Sequence, residues 1–242
     1  MEPMICLSIT NQGLTKQDII DEVREIVQYH VGIVEWRVDA YEYRADWEKV
    51  AETLNAIREE LGSIPLILTF RDILEGGTIE WTKPLWLEYL DFLEANVELY
   101  DSVDMEMYNY MKLTDEDKTR LKEIFHKNQI RLIGSYHNFM QMEKEDTIVK
   151  RFQRFYDQGM DMIKMAYHAQ NEKDVQCLIR AATRCHELEK SKQIFIPMGS
   201  AGRPVRLHPE LTFSSIAYCT TKDQSPIGQV TVNEYRKNRI GK

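Results

Sequence analysis

The sequence predicts a single (β/α)8 barrel over residues 1–242, and three observations favour this fold class. Short β-rich runs alternate with amphipathic helical stretches along the whole chain, in a repeat of about thirty residues that matches one βα unit with its loops. Eight strand candidates in strict alternation favour a closed barrel over an open doubly wound sheet. After the first strand, Asn11-Gln12-Gly13 does not supply the glycine-rich turn of a dinucleotide-binding fold.

The predicted strands are short runs of apolar and β-branched residues bounded by turn-forming or polar residues. They are Met4–Ser8, Gly32–Arg37, Pro65–Arg71, Ser102–Glu106, Ile130–Ser135, Asp161–Ala166, Ile194–Met198 and Ser215–Cys219. Because polar residues recur at the carboxyl ends of these strands, the sequence places a candidate active site at that end of the barrel.

The predicted helices lie between these strands and carry apolar residues at helical spacing. They are Lys16–Tyr29, Trp47–Leu61, Pro84–Glu98, Asp115–Lys127, Asp146–Tyr156 and Asn171–Glu187. Thr114 and Asn171 suit N-caps, and Pro84 suits a first turn. With no linker or low-complexity run between them, these elements predict one domain.

Composition narrows the class of function. A net charge of -8 and a pI near 5.4 argue against a nucleic-acid or anionic-membrane surface. The first ten residues lack the features of a signal peptide, and no apolar run approaches the roughly 18 residues of a membrane span. The four cysteines have no Cys-x-x-Cys spacing, which predicts reduced thiols without a structural zinc. We therefore expect a cytoplasmic protein.

The second strand alternates strictly. Period two turns Val34 and Trp36 toward the helices, so Glu35 and Arg37 point into the barrel. A buried ion pair that holds the barrel together and a polar wall for a hydroxylated ligand are both open interpretations.

The third and fourth strands add more inward charge. Arg71 is predicted to face inward, and Glu75 lies on the loop after it, which Gly76-Gly77 makes tight. Asp104 and Glu106 share one inner face. Paired carboxylates can hold a divalent metal, but pairing with Arg37, Arg71 and Lys164 is favoured because only one histidine near a strand end, His137, could join a metal site.

His137 is predicted to lie just past the fifth strand, and Lys164 lies on the sixth in a mostly apolar run. A histidine there is suited to acid–base chemistry, although a surface-loop histidine is the plainer alternative. Burying an ammonium is costly unless it is paired or deprotonated, and an amine in such a site can form an imine. A structural salt bridge to Glu35, Asp104 or Glu106 is the competing account.

Two loops complete the candidate site. The glycine-rich loop after the seventh strand could bring Arg206 over a substrate carboxylate as a bidentate clamp. Residues 222–229 are predicted to form a flap before the last helix. An ordinary βα connection is the alternative interpretation of this segment. Clamp and flap together predict a small anionic substrate shielded from water.

Seven short motifs, in this order and over nearly the whole chain, resemble the type I 3-dehydroquinate dehydratase family of the shikimate pathway. Each is weak alone, but seven in register are specific. They are EWRVD at Glu35–Asp39, TFR…EGG at Thr69–Gly77, DMEM at Asp104–Met107, SYHNF at Ser135–Phe139, MIKMA at Met162–Ala166, MG…R at Met198–Arg206 and SPIGQ at Ser225–Gln229.

The resemblance implies a mechanism and a substrate, 3-dehydroquinate, without a cofactor or metal. Lys164 would form an imine with the C3 ketone, His137 would act as general acid and base, and Glu75 would orient His137. Arg206 would anchor the carboxylate. The resemblance also assigns the remaining binding residues: Ser225 and Gln229 from the flap, Glu35, Arg37 and Arg71 toward the ring hydroxyls, and Ser8, Met198 and Tyr218 along the pocket wall.

Two positions depart from the family pattern. Asn138 follows the histidine where the family usually has aspartate, and Pro226 lies one residue earlier in the flap than is usual. The first removes a charge near His137 and the second bears on flap closure, but neither deletes a residue assigned to the chemistry.

Two other functions are weighed against this one. A class I aldolase also forms an imine in a barrel, and a non-catalytic module could bind dehydroquinate or quinate without turnover. The retention of Lys164 and His137 argues against the module, and Arg206 with the flap argues against the aldolase. A homodimer is compatible with apolar residues on the outer helices, but no interface can be located from the sequence.

Overall fold

The computed structural model describes residues 2–188, 192–221 and 228–239, which form two compact units. The N-terminal unit is Ser8–Leu132, and the C-terminal unit is Ile133–Lys242 together with Met1–Leu7. Within these described ranges, parallel strands alternate with helices in the order predicted from the sequence.

The strands are short and largely buried. They are β1 (Met4–Ile9), β2 (Ile33–Arg37), β3 (Leu66–Thr69), β4 (Ser102–Glu106), β5 (Arg131–Asn138), β6 (Met162–His168), β7 (Lys192–Met198), β8 (Ile216–Thr220) and the two-residue β9 (Val230–Thr231).

The helices follow the strands, with short extra turns in some connections. They are α1 (Lys16–Gln28), α2 (Trp47–Leu61), α3 (Lys83–Ala95), α4 (Met107–Tyr110), α5 (Asp115–Asn128), α6 (Glu145–Asp157), α7 (Glu172–Leu188), α8 (Arg203–Leu207) and α9 (Val232–Lys237).

Every strand pairing within each unit is parallel. In the N-terminal unit β2, β3 and β4 pair in that order. In the C-terminal unit β5 pairs with β6 and β6 with β7, while β8 pairs with both β1 and β9. Parallel strands need a crossover connection, which the intervening helices supply. This βα repeat confirms the predicted (β/α)8 class.

Local sequence signals explain where the helices begin. The side chain of Thr114 accepts a hydrogen bond from the backbone N–H of Asp117, and the carboxamide oxygen of Asn171 accepts from Lys173 and Asp174 at 2.9 and 3.2 Å. Both predicted N-caps are therefore confirmed. Pro84 lies in the first turn of α3, where its missing N–H leaves no helical bond unmade.

The predicted end of the fifth strand needs correction. β5 extends to Asn138, so His137 lies within the strand and not past its end. The register continues because Tyr136, His137 and Asn138 pair with Met165, Ala166 and Tyr167 of β6.

Candidate active site

The N-terminal unit contains a buried cluster of charge around Arg71, whose exposed fraction is 2%. Its guanidinium donates from Nη2 to Asp104 at 2.8 Å and from Nη1 to Glu106 at 3.1 Å. Burial alone would lower the pKa of Arg71, but the carboxylates of Asp104, Glu106, Glu75 and Glu35 raise it. The predicted pairing of Asp104 and Glu106 with Arg71 is confirmed.

Glu35 is also buried, but its described hydrogen bonds come from hydroxyl groups. Ser8 Oγ donates to it at 2.6 Å, and Thr69 Oγ1 donates at 2.9 Å. These two bonds fix the position of the Glu35 carboxylate. Predicted site residues Ser8 and Glu35 are thus brought together.

Arg37 pairs with a residue that the sequence analysis had not singled out. Its Nε and Nη2 donate to the two carboxylate oxygens of Asp39, both at 2.7 Å, and Nη2 also reaches the carbonyl of Gly76 at 3.2 Å. Asp39 further accepts from the backbone N–H of Arg71 at 3.1 Å. The partner of Arg37 is therefore Asp39, and not the carboxylates of β4 as expected. This bidentate pairing with the Asp39 carboxylate fixes the plane of the Arg37 guanidinium.

Glu75 is held at the end of a short 3-10 turn, Ile73–Glu75. Asp72 caps this turn by accepting from the N–H of Leu74 at 2.8 Å, and the N–H of Asp72 itself donates to Glu106 at 2.8 Å. The predicted tight turn is confirmed at Gly77, where a Cβ atom would lie 1.9 Å from the carbonyl oxygen of Arg71. Only glycine fits this approach, so the position of Glu75 depends on it.

In the C-terminal unit, His137 and Lys164 belong to one face of the β5–β6 pair. Ser135 pairs directly with Lys164 in the parallel register, and His137 is two residues beyond Ser135. Because side chains alternate with period two, Ser135, His137 and Lys164 share a face. Lys164 is only 4% exposed, and its Nζ lies 4.2 Å from the centre of the Tyr218 ring.

The opposite face of the same strands carries a structural network. Arg151, from α6, donates to the hydroxyl of Tyr167 at 2.7 Å, forms an ion pair with Glu143, and stacks 3.9 Å above the ring of Tyr136. The hydroxyl of Tyr136 donates to Glu143 at 3.3 Å. This network fixes the strands that present His137 and Lys164.

Asn138 lies on the network side as well, two residues after Tyr136. Its carboxamide oxygen accepts from the backbone N–H groups of Met140 at 3.0 Å and Gln141 at 3.2 Å. A short polar side chain that folds back onto the backbone in this way organises a turn. Asn138, which stands where the family usually has aspartate, therefore still supplies a side-chain oxygen that stabilises the turn. This oxygen lies on the face of the strand away from His137.

Arg206 is the second buried arginine of the predicted site and has a different environment. It is 7% exposed, and Nη2 donates to the carbonyl of Tyr218 at 3.1 Å. Among the described residues no acceptor reaches Nη1. Burial lowers the pKa of Arg206 to about 10, so the group remains a cation at neutral pH. A buried guanidinium with an unfilled donor is suited to binding a carboxylate.

The remaining predicted residues lie around the β7 and β8 connections. Met198 is buried at the end of β7, and the carbonyl of Gln229 accepts from Arg203 at 2.6 Å. Gly228 packs against Gly199 so closely that a Cβ atom would lie 2.4 Å from the Gly199 carbonyl oxygen. Ser225, with the rest of 222–227, lies outside the described residues.

Sequence reasoning missed Asp39 and Asp72, which hold the predicted site residues in place. Asp39 closes the EWRVD motif, and Asp72 directly follows Arg71, so both lay inside motifs that had been noticed. An aspartate one or two residues after an inward-facing arginine at a strand end is the signal that could have identified both.

In residues 2–188, 192–221 and 228–239, no three His, Cys, Asp or Glu side chains are grouped so that they could hold a metal ion. No helix there combines the length and apolar character that crossing a membrane requires. Cys6, Cys177, Cys185 and Cys219 form no disulfide bonds.

The parallel βα repeat, with buried charged side chains at its strand ends, defines a (β/α)8-barrel enzyme. The sequence profile of the type I 3-dehydroquinase family matches residues 5–238. The chain therefore belongs to the type I 3-dehydroquinase family, and its activity is the dehydration of 3-dehydroquinate, a hydro-lyase reaction of the shikimate pathway.

Individual relatives agree with this assignment. The 3-dehydroquinate dehydratase of Clostridioides difficile is 33% identical over 237 residues, which cover 96% of this chain and 89% of that protein. A Listeria monocytogenes enzyme is 32% identical, covering 97% and 90%. The Clostridium difficile type I enzyme, solved with covalent modified comenic acid, superposes with a TM-score of 0.87 at 30% identity, covering 98% and 91%. The Geobacillus kaustophilus 3-dehydroquinate dehydratase (TM-score 0.88, 24% identity, covering 98% and 90%) supports the fold.

Proposed function

We propose that this chain dehydrates 3-dehydroquinate through an imine on Lys164, with His137 as general acid and base. The observation that carries the proposal is the shared face of Ser135, His137 and Lys164 on the β5–β6 pair, with Lys164 almost fully buried. A buried amine beside an imidazole can act as a nucleophile because its proton has a nearby acceptor.

In the proposed reaction the neutral Lys164 amine adds to the C3 ketone, and the adduct takes up one proton and loses water to give an iminium. The iminium acidifies the C2 proton, which His137 removes, and an enamine forms. The enamine expels the C1 hydroxyl as His137 gives that proton to it, so a second water leaves and a conjugated iminium remains. Hydrolysis of this iminium consumes one water, returns the proton taken up in the first step, and releases 3-dehydroshikimate and the neutral amine, with a net loss of one water.

The substrate carboxylate is proposed to bind Arg206, whose buried Nη1 has no acceptor among the described residues. Gln229 and Ser225 are proposed to add hydrogen bonds from the flap. Lys164 and Tyr218, whose ring lies against Nζ, are proposed to line the ring of the substrate together with Met198.

The buried charges of the N-terminal unit are proposed to bind the ring hydroxyls. The carboxylate of Glu35, with Ser8 bound to it, can accept from a hydroxyl. Arg37 and Arg71 are held by carboxylates and supply fixed donors. Glu75 is proposed to orient His137, a role that its rigid turn supports.

The solved Clostridium difficile relative, which holds covalent modified comenic acid, supports a covalent route in this family. It does not identify the attached residue, so trapping is needed. The protein would be mixed with 3-dehydroquinate and borohydride, which reduces an imine to a stable amine. Intact mass and peptide mapping would then locate the adduct.

A substrate-dependent adduct on Lys164, absent from Lys164→Met, is the expected result, with 3-dehydroshikimate as the product. Lys49→Met is the matched control because Lys49 also lies over a tyrosine ring, at 3.5 Å from its centre. Product formation by the wild type without any adduct would exclude the imine. An adduct that leads to carbon–carbon cleavage would instead indicate an aldolase.

The organisation and location of the enzyme are further proposals. We propose that residues 1–242 act as one catalytic domain in the cytoplasm, on a small-molecule substrate and without nucleic-acid or membrane partners, as the acidic composition supports. A homodimer remains a prediction, which light scattering of the purified chain tests by its mass.

A further inference from the structure

A second cleft lies in the N-terminal unit, lined by residues to which the proposed reaction assigns no role. Its volume is about 120 Å³, and its apolar walls include Trp81, Trp86 and Leu113. The two indoles meet edge to face, with their centres 4.8 Å apart. An apolar cavity of roughly 150 Å³ can hold benzene, so this cleft has room for about one six-membered ring.

The apolar wall contains an unfilled hydrogen-bond donor. Trp86 is 6% exposed, and its Nε1 is buried without an acceptor anywhere in the described ranges. An indole N–H can only donate, and leaving it unmet costs free energy that an acceptor would recover. Trp81 differs, because its own Nε1 donates to the carbonyl of Phe70 at 3.2 Å. The cleft therefore favours a ring that carries an acceptor.

The charged groups of the cleft favour an anion. Lys83 and Lys112 line it on the exposed side, against a single carboxylate, that of Asp117. That carboxylate already accepts from Thr114 Oγ1 at 2.7 Å at the start of α5. Lys112 Nζ lies 3.4 Å from Asn109 Oδ1, a neutral partner. One cation thus remains in excess, and Lys112 is placed to meet a ligand charge.

We propose that this cleft binds a small planar ring bearing one carboxylate. The ring stacks within the tryptophan wall, and the carboxylate accepts from Trp86 Nε1 and Lys112. Two residues that line the cleft, Asn109 and Trp81, also hold Asp72: Asn109 Nδ2 and the backbone N–H of Trp81 donate to Asp72 Oδ2 at 3.2 and 3.1 Å. The cleft is thereby linked to the turn that Asp72 caps. Binding of a ligand in the cleft does not depend on the proposed reaction mechanism.

The test uses benzoate as the probe, with benzamide as a neutral ring of the same size. Binding to the full chain would be followed by saturation-transfer NMR and tryptophan fluorescence up to about 20 mM, well above the ~1 mM dissociation constant expected for so few atoms. We expect benzoate to bind about tenfold more tightly than benzamide, since each ~1.4 kcal/mol is a factor of ten.

Variants locate the site. Lys112→Met should weaken benzoate by about fivefold or more, as loss of a charge-assisted hydrogen bond does. Trp86→Phe should have a similar effect, since it keeps an aromatic wall and removes the N–H. Lys49→Met is the matched control, because the Nζ atoms of Lys112 and Lys49 each lie over a tyrosine ring, at 3.7 and 3.5 Å from its centre. Arg206→Met tests whether benzoate instead occupies the proposed carboxylate clamp.

Three results would overturn the proposal. They are no benzoate binding, equal affinity for benzamide, and binding that Arg206→Met abolishes while Lys112→Met retains it. Circular dichroism would check the fold of each variant. If Trp86→Phe fails to fold, Lys112→Met still tests the proposal. The Lys112 side chain is exposed, so its replacement opens no cavity.

Discussion

Replacing Arg206 by methionine should make the protein more stable and the enzyme poorer. Arg206 is a buried cation that forms one hydrogen bond, from Nη2 to the Tyr218 carbonyl, while no acceptor among the described residues reaches Nη1. Methionine fills a similar volume without a charge. The substitution therefore removes a group that folding must desolvate, and with it the proposed anchor of the substrate carboxylate.

The magnitude follows from the lowered pKa of Arg206. Burial brings that pKa to about 10, which corresponds to about 3 kcal/mol against the charged form in the folded state. Loss of the hydrogen bond to Tyr218 offsets about 1 kcal/mol. The net gain is about 2 kcal/mol, or roughly 4–8 °C in Tm for a chain of this size.

Because a basic group with a lowered folded pKa opposes folding while it is charged, the full penalty applies below about pH 10 and fades above it. Arg206→Met should therefore be more stable than wild type by a constant amount between about pH 6 and 9.

The assay pairs urea unfolding with steady-state kinetics. We expect a higher unfolding midpoint at an unchanged m-value, and kcat/KM lower by about 100-fold, mainly through KM, for loss of a charged bidentate contact of about 3 kcal/mol. Arg151→Met is the matched control: its guanidinium is paired with Glu143 and Tyr167, so its loss should destabilise. An Arg206→Met variant that unfolds more easily, or keeps its kcat/KM, would refute the reasoning.

Three further predictions use other parts of the site. His137→Ala should slow turnover by about 10²–10⁴-fold and let the imine accumulate in intact mass spectra, so a normal rate would remove its acid–base role. Gly77→Ala should destabilise by about 1–3 kcal/mol in urea unfolding and lower kcat, because its Cβ would meet the Arg71 carbonyl at 1.9 Å. Gly13→Ala is the comparison variant, because its Cβ would meet no atom within 4 Å and its φ of +72° alone costs an alanine about 1–2 kcal/mol. A Gly77→Ala variant that is destabilised less than Gly13→Ala would contradict the clash. Dialysis against a chelator should leave the rate unchanged, and a loss restored by a divalent metal would revive a metal site.

The sequence predicted the order and type of the elements well, because hydrophobic period and caps are local signals. α2 begins and ends at the predicted residues, Trp47–Leu61, where Asp46 caps the start and Gly62 follows the end. β5 is longer than predicted because the polar run after Ser135 was taken as a loop. Its extension depends on pairing with β6, which no local signal reveals.

Only some of the contacts among the candidate site residues could be predicted from the sequence. Alternation along β3 and β4 brought Arg71 to Asp104 and Glu106, because all three point to one face of adjacent strands. Arg37 was misassigned because its partner, Asp39, lies beyond the strand in a 3-10 turn where alternation no longer applies. Such choices depend on backbone turns that only the folded chain defines.

The two-sided β5–β6 pair described above has a consequence for how this enzyme can vary. Successive positions from Ser135 to Asn138 serve different purposes: odd positions face the proposed chemistry, and even positions face the Arg151 network or the following turn. A library of substitutions along β5, sorted by abundance and by activity, should alternate residue by residue. Substitutions of Tyr136 should lower the abundance of the protein in the cell, whereas substitutions of His137 should leave an abundant but inactive protein. Adaptive substitutions of substrate preference should therefore arise at every second residue.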